Sequence, residues 1–271
     1  MNHTKERPMN TTRTVTTLAA ATFLIFSTHV SAFAEETDAP SGSMSVSLLS
    51  KYVWRGYEMS KDSIVVQPSI TGSYKGFGIN LWGNLDTDQD EDLFGEDGAN
   101  WNETDLTLSY GGSAGMVTYG GGYIYYGLEG IDDTQEIYGS IGLDTLLAPT
   151  LTVYRDIDAY QGWYVTLAAS HSFQLSESIS LIAAGQIAYL SADDAETLAE
   201  PDDPGSSYSD FHDGKLSLTL DIPISEDISL APNISYSFAL SDAASDIIKA
   251  GSAGGDDDNF LFGGISLNMA L

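Results

Sequence analysis

From Ser43 to Leu271 the chain sorts its side chains, two residues at a time, into one apolar row and one polar row. Successive side chains of a β-strand leave opposite faces of the sheet, so this pattern specifies strands with one face in oil and the other in water. The opening stretch, Ser43 to Tyr57, sets Val46, Leu48, Tyr52 and Trp54 on one face and Ser45, Ser47, Lys51 and Arg55 on the other. Farther along, Ile79, Leu81 and Leu85 oppose Asn80, Trp82 and Asn84, and Leu216, Leu218, Leu220 and Ile222 oppose Ser217, Thr219 and Asp221. The alternation continues to the terminus in Ile265, Leu267, Met269 and Leu271. About twelve such segments run roughly 9 to 13 residues each, where a tilted membrane strand needs roughly 9 to 11.

The connections between segments carry a second regularity. Those near Lys75, Gly112, Leu147, Ser176 and Ser225 are short, whereas those near Asp90, Gly130, Asp202 and Ala250 are long and mostly acidic. An even strand number, with short turns at one rim and long loops at the other, is the layout of a bacterial outer-membrane barrel. The expected fold is therefore all-β: an antiparallel transmembrane β-barrel of about twelve strands, its first strand pairing with its last, both termini periplasmic. Beyond the N-terminal region no apolar run approaches the roughly 20 residues of a membrane helix, and a closed barrel is the other structure that satisfies its backbone in lipid. The competing architecture is a soluble β-sandwich or barrel with the apolar face as its core. Fifteen Tyr and four Trp, many near strand ends, suit interfacial girdles. Pro68 cannot donate to a ladder and predicts a local bulge.

The N-terminus has Lys5, Arg7 and Arg13, then an apolar run from Leu18 to Phe26, then Ala32-Phe33-Ala34 ahead of Glu35-Glu36. This is the layout of a secretory signal peptide. It predicts cleavage after Ala34, leaving a short periplasmic segment, residues 35–42, and a barrel over residues 43–271. The full chain has a formal net charge of -29, which argues against nucleic acid as a partner because phosphate binding needs clustered Lys and Arg. The chain contains no cysteine, hence no disulfide framework and no thiolate metal site.

The run Ser50-Lys51-Tyr52-Val53-Trp54-Arg55-Gly56, with Ser60 following, resembles the opening signature of the TorF-like porins. Gln67-Pro68, Gly76-Phe77 and Trp82-Gly83-Asn84 resemble that family's next hairpin. The resemblance covers about the first forty mature residues. It implies an outer-membrane porin with no catalytic residues to carry over.

Three kinds of site are open to such a chain. An enzyme would use His171 or His212, and Asp210-Phe211-His212-Asp213 offers an Asp-His pairing in what reads as a long loop. His171 falls on the expected lipid face beside Phe173. No nucleophile elbow or metalloprotease motif is present, so the chain reads as a non-enzyme. A cation site could form where Asp86, Asp88, Asp90 and Asp92 alternate, with Asp256-Asp257-Asp258 as a second cluster. Hard cations such as calcium favour such oxygen ligands, although a solvated acidic loop is the simpler account of the same residues. The third site is the lumen, lined by Ser, Thr, Asn and Gly, with Glu103, Asp105, Glu136 and Asp221 as acids and Lys51 and Arg55 as bases. The resulting expectation is a passive channel for small hydrophilic solutes, with a cation preference set by its acidic mouths. Its partners would be outer-membrane lipid, the solutes and, during biogenesis, the barrel assembly machinery. The alternative is a non-conducting surface barrel whose acidic loops bind a partner or divalent cations.

Overall fold

A computed structural model describes residues 39–89 and 98–271, so the expected signal peptide and residues 90–97 of the first acidic loop lie outside the described residues. The strands are β1 (Ser41–Leu49), β2 (Val53–Trp54), β3 (Tyr57–Glu58), β4 (Val65–Tyr74), β5 (Phe77–Gln89), β6 (Gly98–Ala114), β7 (Val117–Leu128) and β8 (Thr134–Leu143). They continue as β9 (Thr150–Asp156), β10 (Gly162–Gln174), β11 (Ser180–Ala192), β12 (Ala199–Glu200), β13 (Asp203–Ser207), β14 (Ser209–Pro223), β15 (Ile228–Ala239) and β16 (Asn259–Ala270), with a helix α1 (Asp242–Gly251) between the last two. Twelve of them close into one antiparallel barrel, in which β1 lies between β4 and β16. Closure runs from Ser43 opposite Ala270 to Leu49 opposite Gly264. The pairs β2–β3 and β12–β13 form two small hairpins that take no place in the barrel sheet.

The two faces sort as the alternation requires. Leu48, Ile79, Leu108, Ile141, Leu167, Leu218 and Leu267 are exposed on the outside, while their neighbours Ser47, Thr107, Thr166, Ser217 and Ser266 are buried within. A soluble barrel would invert this arrangement. A continuous exposed apolar band of this extent is a lipid-facing surface. Tyr74, Phe77, Tyr110 and Phe173 ring the short-turn end of that band, and Trp101, Tyr125, Trp163 and Tyr236 the long-loop end. Seven other tyrosines, at 52, 57, 126, 138, 154, 164 and 208, point inward or pack inside the mouth instead. The lumen of the loop half is therefore partly a packed core rather than an open bore.

Several local expectations need correction. The first strand does not run to Tyr57: it leaves the wall at Leu49, and residues 50–64 fold into the barrel mouth. Tyr52 and Trp54, assigned to lipid by period, lie inside against Trp82 and Tyr126. No bulge forms at Pro68, since β4 keeps one register against β1 and against β5 on both sides of it. Residues 111–114, read as a linker, extend β6, so that β6 and β7 turn on Gly115 and Met116 alone. β14 likewise begins at Ser209, which moves His212 from a loop into the wall. One connection at the loop rim, residues 157–161, is short.

Candidate functional site in the barrel mouth

The site is built on an inward hairpin. Val53 pairs with Glu58 and Trp54 with Tyr57, leaving Arg55 and Gly56 as the two turn residues, at φ 47° and φ 87°. A two-residue turn with both central φ positive matches the twist of the strands it joins, and Gly56 supplies one of these positions freely. Arg55 adopts the left-handed conformation at a cost of about 1–2 kcal/mol, so its surroundings must hold it there. The base of the hairpin is fixed by Met59 N donating to Tyr52 O at 2.7 Å and Tyr52 N donating to Ser60 Oγ at 2.8 Å. Lys51 bonds Glu58 within the same segment, so it closes the hairpin rather than reaching across the lumen.

Helix α1 packs on this hairpin. Ser241 caps it by accepting from Ala244 N at 3.1 Å, and its apolar side sends the fully buried Ile248 into a cluster with Val53, Phe260 and Phe262. Glu58 N donates to Ser252 Oγ at 3.0 Å, and Ala253 N to Glu58 O at 2.8 Å. Hairpin and helix thus form one inward-folded unit.

Arg55 is the tip of that unit. Its guanidinium donates to Glu136 Oε2 at 2.7 Å, with the arginine side chain 9% exposed and the carboxylate 3%. Tyr126 donates to the same Glu136 oxygen at 2.8 Å. The guanidinium carbon lies 4.4 Å from the Trp54 ring centre, 4.3 Å from Tyr164 and 5.3 Å from Tyr154. Tyr138, Tyr154 and Tyr164 are register neighbours on β8, β9 and β10, which is why their rings form a continuous ladder down one wall. Burial alone would loosen the arginine's proton; the Glu136 charge and hydrogen bond outweigh it and hold the guanidinium more firmly protonated. Tyr52 faces Glu103 and Asp105, and burial together with those carboxylates pushes its phenol well up, keeping it a neutral donor to Glu103.

The opposite wall comes from a bulge in β14. Ile187 pairs with Gly214 but Tyr189 with Phe211, so His212 and Asp213 together face one residue of β11. Both are buried, whereas simple alternation would have sent one of them outward. Tyr164 donates to Asp213 Oδ1 at 2.8 Å, and Lys215 lies close enough to Asp213 to feel its charge. The His212 ring lies 5.3 Å from that of Tyr57, and its Nδ1 bonds the Tyr208 hydroxyl at 3.0 Å. The expected Asp-His pairing is therefore not formed. Asp210 accepts from Phe211 N, and Asp213 is taken by Tyr164.

Of the residues singled out by sequence, Arg55, Glu103, Asp105 and Glu136 come together around the hairpin. Asp221 sits apart in the turn half, opposite Ser180. Asp86 is buried, its Oδ1 accepting from Asp88 N at 3.1 Å, while Asp88 is exposed, so this pair does not share a face. Asp90 and Asp92 lie outside the described residues. Among the described residues no group of three or more His, Cys, Asp or Glu is arranged to hold a metal ion. Asp258 anchors the helix, bonding Ser245 Oγ at 2.5 Å with Lys249 3.7 Å away. His171 Nδ1 donates to Leu146 O at 2.7 Å, and the ring packs edge-on against Phe173 at the turn rim. Sequence reading missed Tyr154 and Tyr126, and it placed Asp213 in a loop rather than in the lumen wall. Tyr154 was legible, since it alternates with Thr152 and Asp156, but the bulge that turns Asp213 inward has no local signature.

No family model and no curated protein matches the chain. Among solved structures, the NanC porin aligns with TM-score 0.54 at 10% identity, covering 84% of this chain and 100% of that one. The fold is that of an outer-membrane β-barrel. An outer-membrane channel from Pseudomonas putida F1 aligns with TM-score 0.49 at 8% identity, over 88% of this chain and 97% of that one. OmpT of Vibrio cholerae aligns with TM-score 0.40 at 9% identity, over 86% and 97%. For an outer-membrane barrel of this kind, the hydroxyl-lined turn half and the charged loop half make two zones of one lumen. Ser47, Thr107, Thr152, Thr166, Thr219 and Ser266 line the first, and the Arg55 cluster occupies the second.

Proposed function

We propose that this protein is a diffusion channel for small hydrophilic solutes, with a preference for cations, and that its N-terminal motif reflects kinship with the TorF-like porins. The observation that carries the reading is the polar lining of a closed twelve-stranded barrel whose mouth is dominated by carboxylates. Glu103, Asp105, Glu136 and Asp213 face the lumen, with Arg55 and Lys215 among the bases there and Lys51 bonded to Glu58 in the mouth, and a low-dielectric wall focuses the negative potential of the carboxylates toward entering cations. Planar-bilayer recordings under a potassium chloride gradient test it: single-channel steps with a cationic reversal potential are expected, and an anionic reversal potential contradicts the preference.

The inward hairpin and helix favour a second reading, a barrel closed at its mouth whose long acidic loops bind a partner or divalent cations. Absence of single-channel steps in purified, folded protein, persisting after deletion of residues 242–251, would select that reading over the first.

A further inference from the structure

The cage around Arg55 encloses a guanidinium supplied by the chain itself. Its outer walls belong to barrel strands, with Glu136 from β8, Tyr154 from β9 and Tyr164 from β10, while its occupant comes from a hairpin that takes no place in the barrel sheet. A planar, delocalised and weakly hydrated cation stacks on aromatic faces and bonds carboxylates at its edge better than an ammonium does, and this cage offers both. We infer that the cage is the recognition site for solutes bearing a guanidinium group, and that Arg55 occupies it as a tethered stand-in which such a solute displaces. This rests on the channel reading above and names its solute class.

Two features show that the internal occupant fits imperfectly. Arg55 Nε is buried with no protein hydrogen-bond partner, and the residue is held at φ 47°. A free guanidinium can orient itself without either constraint. Against that, a tethered group competes at high effective concentration, so exchange requires the solute to accumulate at the mouth, as the surrounding carboxylates favour. Displacing Arg55 removes the tip contact of the hairpin, so binding and opening are coupled.

The test is current block and thermal melting with arginine, free guanidinium, lysine and the neutral isostere citrulline. In Arg55→Ala the cage is vacant: arginine should block the channel at concentrations at least tenfold lower than in the native protein, lysine less effectively, and citrulline not at all. Adding Glu136→Gln to that variant should abolish the block. Millimolar guanidinium should raise the melting temperature of folded Arg55→Ala relative to equal sodium chloride, a rescue that needs no conductance. Folding is verified by heat-modifiable gel mobility, and Arg55→Gln, which keeps length but not charge, serves if the alanine variant does not assemble. Equal block by citrulline, block unaffected by Glu136→Gln, or no thermal rescue would each overturn the inference. If no variant conducts but guanidinium still rescues the melt, the channel reading fails and the cage stands.

Discussion

Arg55 and Arg155 put the same side chain into opposite solvents. Arg155 projects outward from β9 near the loop rim, 5.0 Å over the Trp163 ring, with two hydrogen bonds of 2.6 and 2.5 Å to Asp193. That pair is partly exposed, and such pairs contribute about 0–1 kcal/mol. The Arg55–Glu136 pair is enclosed, where removing one partner strands the other charge at a cost of about 3–5 kcal/mol. Glu136→Ala should therefore lower unfolding stability in urea by an amount in that range, while Asp193→Ala should change it by less than about 1 kcal/mol. Equal effects would show that the mouth is as wet as the rim. The sequence marks Arg55 and Glu136 as inward residues, but it cannot pair them: they lie 81 positions apart, and only the inward hairpin brings one to the other.

At the scale of elements, two joints deserve testing. The first is the seam where β1 meets β16. A Cβ on Gly264 would come 1.9 Å from Leu48 O and 2.9 Å from Leu49 Cα, both backbone atoms that cannot swing aside. Gly264→Ala should thus impair closure, seen as loss of the heat-modifiable folded band, whereas Gly139→Ala, which meets nothing within 4 Å, should fold normally. The second is helix α1, held by Asp258. Hydrogen bonds from Ser245 and Asn259 and the nearby Lys249 hold this carboxyl below its usual range. A lowered folded value gives stability that is present above the ordinary carboxylate pKa and lost as pH falls through the folded one. Acidification below about pH 4 should loosen the helix and raise protease cleavage within residues 242–251, and Asp258→Asn should remove that pH dependence. Neither joint is written locally. The closing strand is legible from its alternation, but Gly264's close approach and the helix's inward dock depend on partners far away in the chain.

For the whole molecule the controlling fact is which face meets which solvent. Leu218 lies mid-strand on the exterior, where a cationic substitution at the bilayer midplane costs about 2–4 kcal/mol. Leu218→Arg should destabilise the lipid-embedded barrel by that amount, while its inward neighbour Thr219→Arg should spare lipid insertion and act on conductance. If Leu218→Arg were neutral in bilayers, the exterior would not be a lipid face. The chain's own alternation determined the strands, their approximate number, the first-to-last closure and the sorting of apolar from polar residues, because period two is a local property that every strand states for itself. It did not determine that strand one stops at Leu49, that a type of turn at Arg55-Gly56 points inward, that a bulge re-aims Asp213, or that half the tyrosines line a packed mouth. Those outcomes depend on which distant walls offer a buried segment its hydrogen bonds, charges and ring faces, and only the closed barrel supplies those walls.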